Sequence, residues 1–285
     1  MLIAIYGSRR QTPHAPQLQT LLHTLAVGGA GIAMHPKLYE HLSGELGMSL
    51  PGVTVADPYR SPAEADLALS IGGDGTFLRT AAWVAETGTP ILGINTGNLG
   101  YLSALGIDEA VAHTDFILEG DYIVEPRTLL HVQANGLRGW PYALNEAVVA
   151  KEDSASMITA SATVGGRALT DYRADGLIVS TPTGSTAYNL SAGGPIVQPS
   201  APCWVITPIC AHSLGMRPLV ISDDMVISLK VTGRCKAFRL SLDGRSVALP
   251  QGTTVTMRRA GFRTNIVQLR CNEFPAVLRS KLMFN

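Results

Sequence analysis

One acidic residue stands among three glycines in the stretch Gly72-Gly73-Asp74-Gly75-Thr76. The residues before this stretch rise into an apolar run, and the residues after Thr76 have helical spacing, so we expect a strand, a tight turn and a helix. Glycines and a helix N-terminus bring bare backbone N–H groups close to a phosphate. A carboxylate repels phosphate, and Asp74 makes sense there if it takes a proton from a hydroxyl or works through Mg²⁺.

Two further polar segments interrupt apolar runs. Residues 95–100 follow the predicted strand 91–94, at a strand end where α/β sheets bind ligands. Asn145 and Glu146 interrupt a β-like run, where an amide and a carboxylate cannot both face the core without partners. One of the pair could simply point to solvent, or the pair could bind ribose hydroxyls or an adenine edge.

A hydroxyl-dense loop forms the third candidate. It joins an apolar run to a predicted helix at residues 185–190, and we read it as a binding loop because a helix cap needs only one or two hydroxyls. Its hydroxyls belong to Ser180, Thr181, Thr183, Ser185 and Thr186. Asp243-Gly244 is most simply the turn of a hairpin.

The elements around these motifs change character along the chain. Up to residue 100, strands and helices alternate with short loops, which predicts a Rossmann-like α/β domain with a parallel sheet. Residues 122–269 are dominated by short β-like runs, which predicts a C-terminal β-rich, β-sandwich-like domain. We therefore place an α/β domain at residues 1–100 and a β-rich domain at 101–271, with 272–285 packing back on the first.

Composition limits the classes of function. The chain has 285 residues, 46% of them hydrophobic, and a formal net charge of zero, which fits a globular protein and argues against nucleic acid or an anionic membrane as partner. The four cysteines are too scattered for a zinc site, and no apolar run reaches about eighteen residues. The default location is the cytoplasm.

Taken together, the motifs resemble the NAD kinase family. The chain carries GGDGT at residues 72–76, NTGNLGYL at 95–102, Asn145-Glu146, and SLGMRPLV at 213–220. GGDGT also occurs in lipid kinases of the diacylglycerol and sphingosine types and, more remotely, in phosphofructokinases. The long string ADGLIVSTPTGSTAY at 174–188 is far more specific and favours NAD kinase.

The resemblance implies a reaction and roles for residues. ATP, or inorganic polyphosphate in some members, would phosphorylate the 2′-hydroxyl of the adenosine ribose of NAD⁺, with Mg²⁺ carried mainly on the phosphates and no protein metal site. Asp74 would be the catalytic base, and Gly72, Gly73, Gly75 and Thr76 would bind the phosphate donor. The NAD⁺ contacts would be Asp74, Gly75, Asn145, Glu146, Asp175, Thr183, Thr186, Ala187, Tyr188 and Ser191. A homodimer or homotetramer is expected.

Two alternatives stay open at this point. One is a lipid kinase of the diacylglycerol or sphingosine type, which would leave the hydroxyl-rich loop unexplained. The other is a dinucleotide-binding sensor without catalysis, against which Asp74 argues. The sequence does not decide between ATP and polyphosphate, between NAD⁺ and NADH, or on feedback by NADP(H) and the role of Arg245.

Overall fold

The fold is known from a computed structural model, which describes residues 1–97, 100–103, 105–152, 156–268 and 278–279. The chain divides into two compact units. Unit 1 comprises Met1–Pro126 and the described residues from Thr264 onward, and unit 2 comprises Arg127–Arg263. No helix in these described ranges is long and apolar enough to cross a membrane.

Unit 1 is an α/β fold built on a parallel sheet. Its strands lie in the order β3-β2-β1-β4-β5, and β5 also pairs in parallel with β6 and with Ile266 of β18. The strands are β1 (Leu2–Gly7), β2 (Gly31–Met34), β3 (Val53–Val55), β4 (Leu67–Ile71), β5 (Ile91–Asn95) and β6 (Leu105–Gly106). Strands β4 and β5 are buried at every residue, as expected for parallel strands covered on both faces.

Up to residue 100, the helices of unit 1 alternate with its strands, as predicted. They are α1 (Ala15–Val27), α2 (Pro36–Glu40) continuing as a π-helix (His41–Glu45), α3 (Asp74–Val84), α4 (Ile107–Ala112) and α5 (Thr114–Glu119). Short 3₁₀ turns lie at Thr12–His14 and Ala85–Thr87. Helix α1 turns Leu18, Leu21, Leu22 and Leu25 into the core, which is the face that the leucine spacing predicts.

Unit 2 is antiparallel and β-rich. One sheet has the order β14-β13-β12-β9-β16-β17, and the other runs β11-β10-β15-β18, with β7 paired to β18 and β8. The strands are β7 (Ile123–Ala134), β8 (Tyr142–Ala143), β9 (Glu146–Lys151), β10 (Ile158–Val164), β11 (Arg167–Ala174), β12 (Gly176–Ser180), β13 (Cys203–Ile209), β14 (Leu219–Ser222), β15 (Ile227–Gly233), β16 (Ala237–Leu242), β17 (Arg245–Pro250) and β18 (Thr254–Gln268). Residues 123–126 of β7 and 264–268 of β18 belong to unit 1. Side chains of both sheets share one buried core, so the sandwich expectation is confirmed.

Two expectations about elements need correction. The predicted helix at residues 185–190 is instead a 3₁₀ turn (Thr183–Thr186) followed by a four-residue helix, α6 (Tyr188–Ser191). Helices α4 and α5 were not predicted, and they lie in unit 1, whereas the sequence prediction gave residues after 100 to the β-rich domain. The expected packing of 272–285 concerns residues that lie outside the described ranges, apart from Leu278 and Arg279.

Candidate functional site

The glycine-rich turn joins the buried strand β4 directly to helix α3. The helix begins at Asp74, three residues earlier than the apolar spacing from Phe77 onward predicts. Gly72 has φ +148°, and a Cβ there would lie 2.5 Å from Thr76 Oγ1, so this position requires glycine. The other two glycines of the turn do not have positive φ. A Cβ on Gly73 would meet no described atom within 4 Å, so packing does not explain that glycine.

The carboxylate of Asp74 accepts hydrogen bonds from the main chain of a neighbouring loop, residues 101–103. Oδ2 accepts the N–H of Tyr101 at 2.8 Å, and Oδ1 accepts those of Leu102 and Ser103, both at 3.0 Å. A Cβ on Gly100 would overlap this carboxylate, so the loop approaches closely because residue 100 is glycine. We call this arrangement, three N–H groups on one aspartate, an aspartate clamp.

Asn95 supports the same loop from the end of β5. It is 4% exposed, its Nδ2 donates to the carbonyl of Ser103 at 3.1 Å, and its Oδ1 accepts the N–H of Gly97 at 2.7 Å. The predicted polar segment 95–100 therefore begins with an asparagine that fixes local backbone. Asn98 and Leu99 of that segment lie outside the described residues.

A second aspartate clamp lies in unit 2. Asp243, at the turn between β16 and β17, accepts the N–H groups of Leu144 at 2.7 Å, Asn145 at 2.9 Å and Glu146 at 3.2 Å. Arg245 donates to the carbonyls of Trp140 at 2.9 Å and Tyr142 at 2.6 Å. The Asp-Gly hairpin prediction is right, and this turn also fixes the backbone that carries Asn145 and Glu146.

Glu146 is a buried acid of the site with a raised pKa. It is 8% exposed, and its Oε2 has no hydrogen-bond partner among the described residues. Burial, with the nearby charge of Asp243, raises the pKa of Glu146 to about 8, against a smaller lowering by a hydrogen bond from the backbone of Tyr188. A buried carboxyl oxygen with no partner can hydrogen-bond to a ligand hydroxyl, as an acceptor when ionised and as a donor when it carries the proton.

The hydroxyl-dense loop is largely structural, which corrects our reading of it as a set of ligand donors. Thr181 Oγ1 donates to the carbonyl of Leu144 at 2.6 Å, Ser180 Oγ to that of Thr181 at 2.9 Å, and Ser185 Oγ to that of Val197 at 3.2 Å. All three side chains are fully buried. A Cβ on Gly184 would overlap the Asn145 carbonyl, so the loop packs directly on the Asn145-Glu146 backbone.

The remaining predicted NAD⁺ contacts differ in exposure. Thr183 is buried, Thr186 and Ala187 are half-buried, and Tyr188 and Ser191 at the start and end of α6 are exposed. Asp175 forms an ion pair with Lys151, with 2.8 Å between Oδ1 and Nζ. The charge of Asp175 is thus partly balanced within unit 2.

The structure gathers the predicted residues into two groups, one in each unit. Unit 1 holds Asp74 and the glycine-rich turn, and unit 2 holds Asn145, Glu146, Asp175 and the segment 183–191. In the described ranges, no three or more His, Cys, Asp or Glu side chains cluster in a way that could hold a metal ion.

Sequence reasoning missed three supporting residues. Asp243 was read only as part of a hairpin turn, and the role of Arg245 was left open. Gln11, which is fully buried, was not singled out, although its Nε2 donates to the carbonyl of Ile71 at 3.2 Å and to Ser8 Oγ at 2.9 Å. The available signal was a pair of charges, Asp243 and Arg245, flanking a tight turn between two apolar strands.

Comparison with known proteins agrees with the resemblance carried by the motifs. The family described as ATP-NAD kinase N-terminal domain matches residues 53–122, and the ATP-NAD kinase C-terminal domain matches residues 144–269. The NAD kinase of Porphyromonas gingivalis (strain ATCC BAA-308 / W83) is 40% identical over 282 residues, covering 99% of this chain and 97% of the relative. That of Bacteroides fragilis (strain YCH46) is 40% identical over 286 residues, covering 100% and 98%.

Two solved structures share the fold. Yeast NADH kinase complexed with NADH superposes with a TM-score of 0.87 at 25% identity, over 100% of this chain and 88% of that one. An NAD kinase from Archaeoglobus fulgidus in complex with ATP gives a TM-score of 0.71 at 26% identity, over 95% of this chain and 94% of that one. The comparisons give no support to the lipid kinase or sensor alternatives.

Proposed function

The chain belongs to the NAD kinase family, and from that premise we propose that it transfers the terminal phosphoryl group of ATP to the 2′-hydroxyl of the adenosine ribose of NAD⁺. The observation that carries the acceptor side is the buried Oε2 of Glu146, which has no partner among the described residues. A ribose hydroxyl both donates and accepts, so it can pair with this oxygen in either protonation state of Glu146.

We assign Asp74 as the general base. An ionised carboxylate offers about four acceptor positions. Three are taken by the N–H groups of Tyr101, Leu102 and Ser103, which leaves one for the hydroxyl proton. As the proton moves to Asp74, the bond from the 2′-oxygen to the terminal phosphorus forms, the bond to the bridging oxygen breaks, and ADP leaves.

The glycine-rich turn supplies the donor side of this proposal. Open space over Gly73 and the N–H groups of the first turn of α3 suit a phosphate group. We propose that the divalent cation arrives with ATP as the Mg·ATP substrate, because Mg²⁺ is commonly held through substrate phosphates with few protein ligands. NAD⁺ would contact Gly75, Asn145, Asp175, Thr183, Thr186, Ala187, Tyr188 and Ser191 besides Asp74 and Glu146.

The decisive experiment is a product assay. Purified protein is incubated with NAD⁺, ATP and Mg²⁺, and NADP⁺ is detected with an NADP⁺-specific dehydrogenase. NADP⁺ formation that requires both substrates supports the proposal. Binding of NAD⁺ without NADP⁺ formation would overturn it in favour of a sensor, and phosphorylated diacylglycerol in a parallel assay would favour a lipid kinase.

A homodimer or homotetramer located in the cytoplasm completes the proposal, on the basis of the family resemblance. Light scattering behind a sizing column measures the assembly directly. A mass equal to one chain of 30.2 kDa would contradict an oligomer.

A further inference from the structure

A cleft of about 490 Å³ opens beside the glycine-rich turn, entirely within unit 1. Gly73, Gly75 and Thr76 line one side of it. Four basic side chains also line the cleft, and none of them was singled out from the sequence as a site residue. They are Arg9, Arg10, Lys37 and Arg79.

Sheet topology explains why these cations converge. Strands β2, β1 and β4 are adjacent and parallel, and the last residues of β1 and β4, Gly7 and Ile71, are paired. The segments that leave the three strands therefore emerge side by side at one edge of the sheet. The segment after β2 carries Lys37, the one after β1 carries Arg9 and Arg10, and helix α3 after β4 carries Arg79.

The loop that carries the two arginines is held in place by buried hydrogen bonds. The N–H of Ser8 donates to the carbonyl of Ile71 at 3.0 Å. The buried amide of Gln11 donates to the same carbonyl and to the Ser8 hydroxyl. Arg9 and Arg10 thus leave a loop that is tied at both ends to the last residue of β4, directly before the glycine-rich turn.

The cleft has a surplus of positive charge. Glu40 lies 3.6 Å from Arg9, and both side chains are more than half exposed. Arg79 donates to Thr76 Oγ1 at 3.2 Å, so its guanidinium lies against the first turn of α3. Within the described ranges, neither Arg10 nor Lys37 forms a side-chain hydrogen bond or ion pair. The carboxylate of Asp74, the one acid within the turn, is hydrogen-bonded to the loop at 101–103.

We propose that Arg10 and Lys37 are donor-binding residues, which contact the phosphates that are not transferred when the phosphoryl donor lies beside the glycine-rich turn. The inference rests on the proposed function for the identity of the donor. A row of three or more phosphates matches four cations at the end of three adjacent strands, and Arg and Lys are the usual partners of phosphate oxygens. The same chemistry is offered by the triphosphate of ATP and by inorganic polyphosphate.

The test removes the two unpaired cations together. Arg10→Gln with Lys37→Gln should raise the KM for ATP about tenfold or more, because each lost contact is a charge-assisted hydrogen bond. The KM for NAD⁺ and the Tm should stay unchanged, since both side chains are exposed. Arg60→Gln, an exposed cation outside the cleft, serves as the matched control and should leave all three values unchanged. A KM for ATP within twofold of wild type in the double variant would overturn the proposal.

Calorimetry with inorganic tripolyphosphate separates this proposal from the proposed function. Binding to the wild type that weakens about tenfold in the double variant, but not in Arg60→Gln, supports the cleft even if no NADP⁺ is formed. Equal binding to the wild type and the double variant overturns it. Where NADP⁺ is formed, replacing ATP by tripolyphosphate in the assay shows which donor the cleft serves.

Discussion

Ionisation of Glu146 should make the free energy of unfolding depend on pH. Its pKa is about 8 in the folded protein because the group is buried and lies near Asp243, against an ordinary value of 4.5. The unfolded chain releases this proton at lower pH than the folded protein does. The free energy of unfolding should therefore be highest below about pH 4.5 on account of this group, and should fall as pH rises towards 8.

Glu146→Gln tests this linkage by urea unfolding at a series of pH values. The variant cannot ionise, so its loss of stability between pH 5 and 8 should be smaller than in the wild type by up to a few kcal/mol. Burial also raises the pKa of Asp243, so a residual slope is expected in both proteins. Parallel pH profiles for the two proteins would show that Glu146 is already ionised in the folded state.

Asp74→Asn tests the role of this residue as the base separately from its hydrogen bonds to the loop at 101–103. An amide cannot take the hydroxyl proton, so kcat should fall by at least about a hundredfold. Its NH₂ group would also face one of the three N–H donors, so a modest loss of Tm is expected. Asp224→Asn, an exposed aspartate in unit 2, is the control and should match the wild type in both measurements. Near-normal kcat in Asp74→Asn would exclude the base assignment.

At the scale of elements, the glycine-rich turn contains glycines of two kinds. Gly72→Ala should lower the Tm, because φ +148° and the contact with Thr76 both oppose a Cβ, at a cost of about 1–3 kcal/mol. Gly73→Ala should keep the Tm, since that Cβ meets open space, but it should raise the KM for ATP by crowding the donor. Thermal unfolding and steady-state kinetics on the pair provide the check. Equal Tm losses in both variants would refute this distinction.

Local patterns predicted most elements near the turn. Alternating apolar runs and leucine spacing gave β1, α1, β4 and β5, because these segments bury one continuous face or are buried throughout. Helices α4 and α5 were not predicted, because each has only six residues and a break at His113 separates them. Their buried residues, Ile107, Ala110, Thr114 and Ile117, do repeat at helical spacing across the break, so a weak signal was present.

The site itself was predictable in part. Asp74, Asn145 and Glu146 stood out because a polar group in an apolar run needs a partner. The partners could not be found from the sequence, because Asp243 lies about a hundred positions away from the residues that it holds. The hydroxyls of Thr181 and Ser185 misled the prediction for the same reason, since their acceptors are the carbonyls of Leu144 and Val197.

At the scale of the molecule, each unit has its own hydrophobic core. The ligands should therefore protect different parts of the chain from hydrogen exchange. Tripolyphosphate should slow exchange at residues 8–10 and 72–76, and NAD⁺ should slow it at residues 144–146 and 183–188. Mass spectrometry of peptic fragments resolves these segments. Protection of the unit 2 segments by tripolyphosphate alone would contradict the assignment of donor and acceptor residues.

The extent of each unit could not be read from composition. The β-like texture after residue 100 suggested an early boundary, yet the chain stays in unit 1 through Pro126 because α4 and α5 pack on α1. Packing between helices far apart in sequence decides such a boundary, and no local pattern reports it.

The two aspartate clamps grip peptide N–H groups, and every amino acid except proline supplies the same N–H. The grip therefore does not depend on the side chains of Tyr101, Leu102 and Leu144, and change at Leu102 and Leu144 is limited by their burial instead. Tolerance should end at the gripping aspartates themselves and at Gly100, where any side chain would collide with Asp74. Proline is thus the one amino acid that the clamps themselves exclude at the residues they hold, because it has no N–H to donate.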